Sequence, residues 1–429
     1  MPIRRRFDIL REPGFRRLFV GRTASLIGDG ITPVALAFAV LDLTGSATDL
    51  GIVLAAHSLV LTALVLVGGV YADRLSPRLS MLGADLVRVA STGLMAVLLI
   101  SGGAEIWHLV ALYAVDGAAT AFFNPASDAL LPQLVPAARL QDGAALINFS
   151  RSVGRFAGPA LAGIALALGS PGDALAVDAA TFGVSALCLF GLRVPPTALA
   201  GDTEEAGPQS ASFLAELREG WSEFTAHSWL WAIVIAAAVS NAVNFPAFMV
   251  LGPTVAEADL GGSSAWALIA AAMGFGAVLG AVLGLTLRPR RPLLAGETFL
   301  LLLPLPIVLL ALPGPTALIA LAALLAGTAG TYATVLWEST WVQHVPAAAR
   351  SRVSAYDWFG SLALEPVGLA LVGPIAAGIG ISTTLWLAAA VILGCQLATL
   401  SVPSVRRLRA RPGAPPPTTV LQPPVEAGD

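Results

Sequence analysis

Apolar runs of about 20 residues, the length a helix needs to cross a bilayer, recur twelve times along this chain. They lie at 16–41, 49–70, 79–100, 107–130, 141–168, 174–193, 227–252, 264–287, 293–311, 316–341, 354–378 and 383–402, with Gly, Pro and charged residues clustered between them. Only 12% of the residues are charged, and mean hydropathy is +0.79. A soluble domain is roughly a quarter charged, so a chain this poor in charge cannot cover a water-facing surface. Lipid is the solvent that fits it. In lipid the backbone must satisfy its own hydrogen bonds, so the runs are read as helices and the fold class as all-α membrane protein. Residues 1–17 are basic without a cleavage site behind a short apolar core, and no cleavable signal peptide is expected.

The charges are placed by side. All 24 basic residues are arginine, and twenty of them sit in the N-terminal segment, alternate loops and the C-terminal tail. The intervening loops carry acids such as Asp42, Asp49, Glu105, Asp173, Glu257 and Asp259. The arginine-bearing side is expected to be cytoplasmic. Both termini then lie inside the cell, as in a multi-pass plasma-membrane protein. Cys188 and Cys395 sit in apolar runs and suggest neither disulfide nor metal. The four histidines, His57, His108, His227 and His344, are scattered. With no phosphate-binding Gly-rich loop, no metal cluster and no catalytic triad, the expectation is a non-enzyme with no cofactor, no metal and no nucleic-acid partner.

Two phrases repeat. "QLVPAAR" (Gln133–Arg139) and "QHVPAAAR" (Gln343–Arg350) are offset by 345 − 135 = 210 residues, each before a run containing Gly-Pro. The pairs Gly158–Pro159 and Gly373–Pro374 are offset by 374 − 159 = 215, and Leu43–Gly51 matches Leu260–Leu268 at 217. Three landmarks in one order point to two six-helix halves. The expected organisation is an N-terminal bundle (1–193), a cytoplasmic linker (194–226), a C-terminal bundle (227–402) and a disordered cytoplasmic tail (403–429). In the linker, Phe213, Leu214, Leu217, Trp221 and Phe224 share one helical face opposite Glu216, Glu219 and Glu223, as in a helix lying on the membrane surface.

Six plus six with a long central loop resembles the major facilitator superfamily. The loop "GGVYADRLSPR" is similar to that family's Gly-x-x-x-Asp-Arg motif, here Gly69, Asp73, Arg74 and Arg78, with Ser76 in place of the usual Gly. The resemblance implies a cytoplasmic gate that holds the halves together in one state and releases them in the other. In the fifth run, Gly154, Gly158, Pro159 and Gly163 resemble the exporter signature of this superfamily, with Ala162 replacing one Gly. "GRTASLIGDGITPVALAFAVLDLTGSATDLG" resembles the bacterial drug and siderophore exporter branch. The arginine common in the fourth run of proton-coupled exporters is absent; Tyr113 holds its place, with Asp116 one turn on.

A charged group at membrane depth costs at least ~2.5 kcal/mol, so it persists where it faces a cavity or a partner. Asp29, in "GDGITP", has two flanking glycines and Pro33 that weaken the helix. It is either a proton site or a fixed structural link. Glu365 precedes Pro366 and is a second proton-coupling candidate, with Asp116 a third. Arg151 and Arg155 are candidate buried partners, Arg151 pairing with Asp116. Asp85 and Arg88 read as a local helix pair, and Asp178 as solvated near the outer surface. Asn148, Asn241, Asn244, Phe245, Tyr332 and Trp358 are candidate cavity residues. The expected function is secondary active export of small amphipathic molecules, drugs or secondary metabolites, by proton antiport with alternating access. A monomer is expected, with its substrate, protons and the bilayer as partners. An importer or uniporter of a small nutrient and a non-transporting membrane sensor are the alternatives.

Overall fold

The computed structural model describes residues 8–72, 76–136, 139–192, 221–222, 224–312, 314–346, 353, 356–357, 359–361 and 363–410. Asp73, Arg74, Trp358, most of the central linker and residues 411–429 of the tail lie outside the described residues.

The first half consists of α1 (Pro13–Thr44), α2 (Ala47–Ala72), α3 (Pro77–Ser101), α4 (Ile106–Leu134), α5 (Leu140–Leu168) and α6 (Pro171–Phe190). The second half begins with α7, which runs as an α-helix over Ser228–Pro246 and continues to Leu260 through π turns at Ala247–Leu251 and Ala256–Leu260. It continues with α8 (Ser263–Thr286), α9 (Pro292–Ala311, with a turn at 301–304), α10 (Thr316–His344), α11 (Glu365–Ile379, extended backward by helical residues 359–361) and α12 (Ile381–Ser401). Eleven of these twelve spans are long and apolar enough to cross a membrane; α5, with Asp142, Arg151 and Arg155, completes the twelve by its 29-residue length. Pro opens α1, α3, α6 and α9, where its missing N–H costs nothing. Large apolar side chains such as Leu168 and Leu187, 85% and 73% exposed, ring the outside and have only lipid to cover them.

The packing repeats. In the first half α1 packs on α5 and α6, α4 on α2 and α3, and α3 on α6; in the second, α7 packs on α11 and α12, α10 on α8 and α9, and α9 on α12. Each pair recurs six helices later. The halves meet along two equivalent seams, α2 with α11 and α5 with α8.

Glycines at these crossings set the register of the repeat. A Cβ on Gly158 would lie 2.7 Å from the carbonyl carbon of Gly30 in α1, and one on Gly368 would lie 2.8 Å from the carbonyl carbon of Ala242 in α7. Gly163 similarly meets Ala267 across one seam, and Gly373 meets Ala47 and Thr48 across the other. Both offsets, 368 − 158 and 373 − 163, are 210. That equals the offset of the repeated loop phrase, so the two Gly-Pro pairs, 215 apart, are not structural equivalents. Close packing, rather than the Gly-Pro dipeptide, is what the duplication preserves.

The two ends of the bundle differ. At the end carrying the first loop (Gly45–Ser46), one apolar core runs through both halves, joining Ile31, Leu50, Trp266, Ile319, Leu369 and Leu385. At the end carrying the chain termini the buried apolar residues form separate groups. Leu18, Phe123 and Leu189 belong to one group and Ile9, Phe15 and Val135 to another, both in the first half; Trp229, Trp341 and Val353 belong to the second half. Among the described residues, the halves therefore share one apolar core at one end and form separate apolar groups at the other.

Candidate functional site

Where the joined end gives way to the parted end, a cavity of about 280 Å³ lies between the halves. The first half contributes Asp29, His57, Ser58, Arg88, Tyr113, Asp116 and Asp178, and the second contributes Phe245, Met249, Glu365 and Leu369.

Helix periodicity and close packing place the charges. Arg88 is the twelfth residue of α3, about 16 Å along it at 1.5 Å per residue, half the depth of a ~30 Å hydrocarbon core. Its guanidinium is buried and bonds two carboxylates. It donates from Nε to Asp116 Oδ1 on α4 at 3.2 Å, and it pairs through its terminal nitrogen with Asp29 on α1. The face of Phe182 lies 3.9 Å from its central carbon, a cation–π contact that helps to hold a desolvated guanidinium. Asp116 Oδ2 faces His57 Nε2 on α2 at 3.3 Å, and the imidazole stacks on Tyr113 at 4.4 Å between ring centres. Gly117 permits that approach, since a Cβ there would lie 3.1 Å from His57 Cα. Asp178 accepts hydrogen bonds from Thr32 and, at 3.2 Å, from Thr181.

Glu365 belongs to the opposite wall. It opens the continuous helix of α11 just after a turn at 363–364, and Ser58 of α2 donates to its Oε1 at 3.2 Å. Successive helical residues point about 100° apart. His57 therefore addresses the first-half cluster while Ser58 addresses the second-half acid. The mixed α/π winding of α7 is the kind of irregularity found at functional sites, and it brings Phe245 and Met249 to the same space.

The structure brings Asp29 and Asp116 together on one guanidinium, with Glu365 in the same cavity. Arg151 does not pair with Asp116. It donates to Asp128 at 3.2 Å in a partly exposed pair, because Asp116 lies three turns deeper in α4. Arg155, exposed, offers its backbone to the α5–α8 seam, where a Cβ on Gly274 would lie 2.7 Å from its carbonyl carbon. Arg88 is not the local partner of Asp85; it turns toward α1 and α4. Asp178 is buried, not solvated.

Helix α1 runs unbroken through Asp29 and Pro33. Gly28 and Gly30 do not weaken it but make room, Gly28 for Asp178 and Gly30 for α5. Gly154 and Gly158 pack on α1, and Gly163 packs on α8; Pro159 lies inside α5 without breaking it. Gly69 lies in the last turns of α2. Arg78 caps the end of α6, donating to the carbonyls of Leu189 (2.8 Å) and Phe190 (2.7 Å), where a cation complements the helix dipole. Of the candidate cavity residues, Phe245 lines the site, Tyr332 is buried against Phe299, and Asn241 donates to the Ser361 carbonyl at 3.1 Å.

Sequence reasoning missed His57, Arg88 and Arg22. The last is buried on α1 and donates to Asn124 at 2.9 Å. The signal was present for two of them. Twenty arginines follow the topology, and the four that remain, Arg22, Arg88, Arg151 and Arg155, all lie inside helices, well away from their ends.

Twelve spans in two equivalent halves around a charged mid-membrane cavity define the scaffold of a membrane transporter. The chain belongs to the Major Facilitator Superfamily, whose family profile matches residues 18–364. It is 27% identical over 424 residues to the multidrug efflux pump Tap of Mycolicibacterium fortuitum, covering 93% of this chain and 97% of that one. It is 24% identical to macrolide efflux protein A of Streptococcus pyogenes over 232 residues, 54% of this chain and 56% of the relative, so the match spans about half of each. Among solved structures it resembles a bacterial homolog of the human lysosomal transporter Spinster, inward-facing and unoccupied (TM-score 0.72, 15% identity, 96% of this chain and 100% of that one). It also resembles the nucleoside transporter NupG (TM-score 0.67, 13% identity, 90% and 98%).

Proposed function

We propose that this protein exports small amphipathic molecules, drugs or secondary metabolites, across the plasma membrane by proton antiport with alternating access. One observation carries the reading. A cavity between the two halves has an Arg88–Asp29–Asp116 cluster on one wall and Glu365 on the other. Apolar walls from Leu54, Phe182, Phe245 and Met249 suit a hydrophobic body, and the carboxylates suit protons. The efflux relatives and the Gly154–Gly163 pattern support this direction. The arginine distribution supports placing both termini, and the parted end of the cavity, in the cytoplasm. Asp29, Asp116 and Glu365 are the acids through which coupling acts, and Gly69, Asp73, Arg74 and Arg78 form the cytoplasmic gate.

Cells producing the protein are expected to accumulate less of a fluorescent amphipath such as ethidium than cells without it, and a protonophore should abolish the difference. A difference that survives the protonophore contradicts the coupling. Greater accumulation in producing cells contradicts the direction.

A further inference from the structure

The charges around Arg88 do not balance, and His57 is the neighbouring group that can balance them. Arg88 carries one positive charge and meets two carboxylates, Asp29 and Asp116, which leaves the trio one negative charge in excess. Unbalanced charge in a low-dielectric interior is costly. His57 Nε2 stands 3.3 Å from Asp116 Oδ2, on the side away from Arg88. A protonated imidazole makes the four groups neutral together, and a neutral one leaves the excess. An ordinary imidazole titrates between roughly pH 5 and 8.

Its position also links the halves. Tyr113 of α4 stacks on the ring, and the backbone of residue 57 rests on Gly117, so the ring is held at Asp116. The next residue, Ser58, donates to Glu365 in the second half at 3.2 Å, and Glu365 lies within electrostatic reach of His57. The charged and titratable groups facing this space are Asp29 on α1, Arg88 on α3, Tyr113 and Asp116 on α4, Asp178 on α6 and Glu365 on α11. Asp178 is hydrogen-bonded by two threonines, and Asp29 and Asp116 share Arg88. Of the two basic groups that line the cavity, Arg88 and His57, the second is an imidazole.

We propose that His57 carries the transported proton, with Glu365 as its counterpart across the seam between the halves. One proton binds the imidazole nitrogen that faces Asp116, and the same proton leaves it; no other bond changes. Bound, it neutralises the first-half cluster. Released, it restores the excess charge, which favours the conformation that readmits water or a cationic substrate. The proposal rests on the proton-coupled export described above.

The test uses the full-length protein, labelled with ¹⁵N-histidine and held in lipid nanodiscs. Only four imidazoles are then visible, and the signal missing in His57→Gln identifies the residue. That signal is expected to titrate between pH 5 and 8 and to move in Asp116→Asn. In proteoliposomes with an imposed pH gradient and ethidium as probe, His57→Gln should lose the extra flux that the gradient adds to the same variant's exchange at equal pH. His57→Asn serves if the first variant is not monodisperse. A His57 signal fixed across this range overturns the proposal whatever the flux, and so does gradient-driven flux of wild-type size in both variants. Wild-type ethidium flux that ignores the gradient would instead contradict proton coupling itself.

Discussion

The two halves of this molecule share a packing plan but not a chemistry. Each helix pair of the first half recurs six helices later, and glycines 210 residues apart hold equivalent crossings. The charges are not repeated. Asp116, moved by that offset, falls on Ala326 of α10. Arg88 falls on Leu303 when α3 and α9 are aligned at their opening prolines, since 303 − 88 and 292 − 77 are both 215. The scaffold is repeated between the halves, and the ionisable cluster belongs to the first alone among the described residues. Among the described residues of the second half, only Glu365 meets the cavity as a charged residue.

The largest expected effect breaks this asymmetry directly. Arg88→Ala leaves buried Asp116 and partly buried Asp29 without their shared cation and should cost ~3–5 kcal/mol of stability, read as lower thermal stability of the purified protein and loss of transport. Adding Asp29→Asn and Asp116→Asn to Arg88→Ala should restore most of the stability without restoring transport. Next come the shared crossings. Gly158→Ala and Gly368→Ala force a Cβ onto neighbouring backbone and should cost ~1–3 kcal/mol each, by matching amounts if the 210-residue register is right. A cost confined to one half would break the proposed equivalence.

Smaller again is Ser58→Ala, which removes a hydrogen bond worth about 1 kcal/mol across the seam. It should shift the balance between conformations about fivefold, read as labelling rates of single cysteines at the parted end. The smallest is Arg151→Ala. Its partly exposed pair with Asp128 is worth ~0.2–1 kcal/mol, so it should barely move stability, in contrast to Arg88.

Much of the fold was legible in the sequence because lipid imposes one rule on every span. Apolar length, Gly and Pro placement and arginine sidedness gave twelve helices in two halves, and the repeated loop phrase carried the register later found in the glycine contacts. The site was legible only in part. Asp29, Asp116 and Glu365 were recognised because a carboxylate at membrane depth needs a reason to be there. Their partners were not, because which helix faces converge is a tertiary property. Spacing along α3 offered Asp85 to Arg88, whereas packing offered it Asp29 and Asp116 from two other helices. The glycines around Asp29 illustrate the same limit. In sequence they read as helix weakness, and in the fold they are contact surfaces on a helix that never breaks.

The most direct measurement follows protons while substrate moves. In energised inverted membrane vesicles whose lumen is acid, adding ethidium should raise luminal pH as protons leave in exchange. Asp29→Asn removes the excess charge that gives the proton its place and should abolish that rise while ethidium still binds. A rise of equal size in Asp29→Asn vesicles, or none in the wild type, would contradict the account.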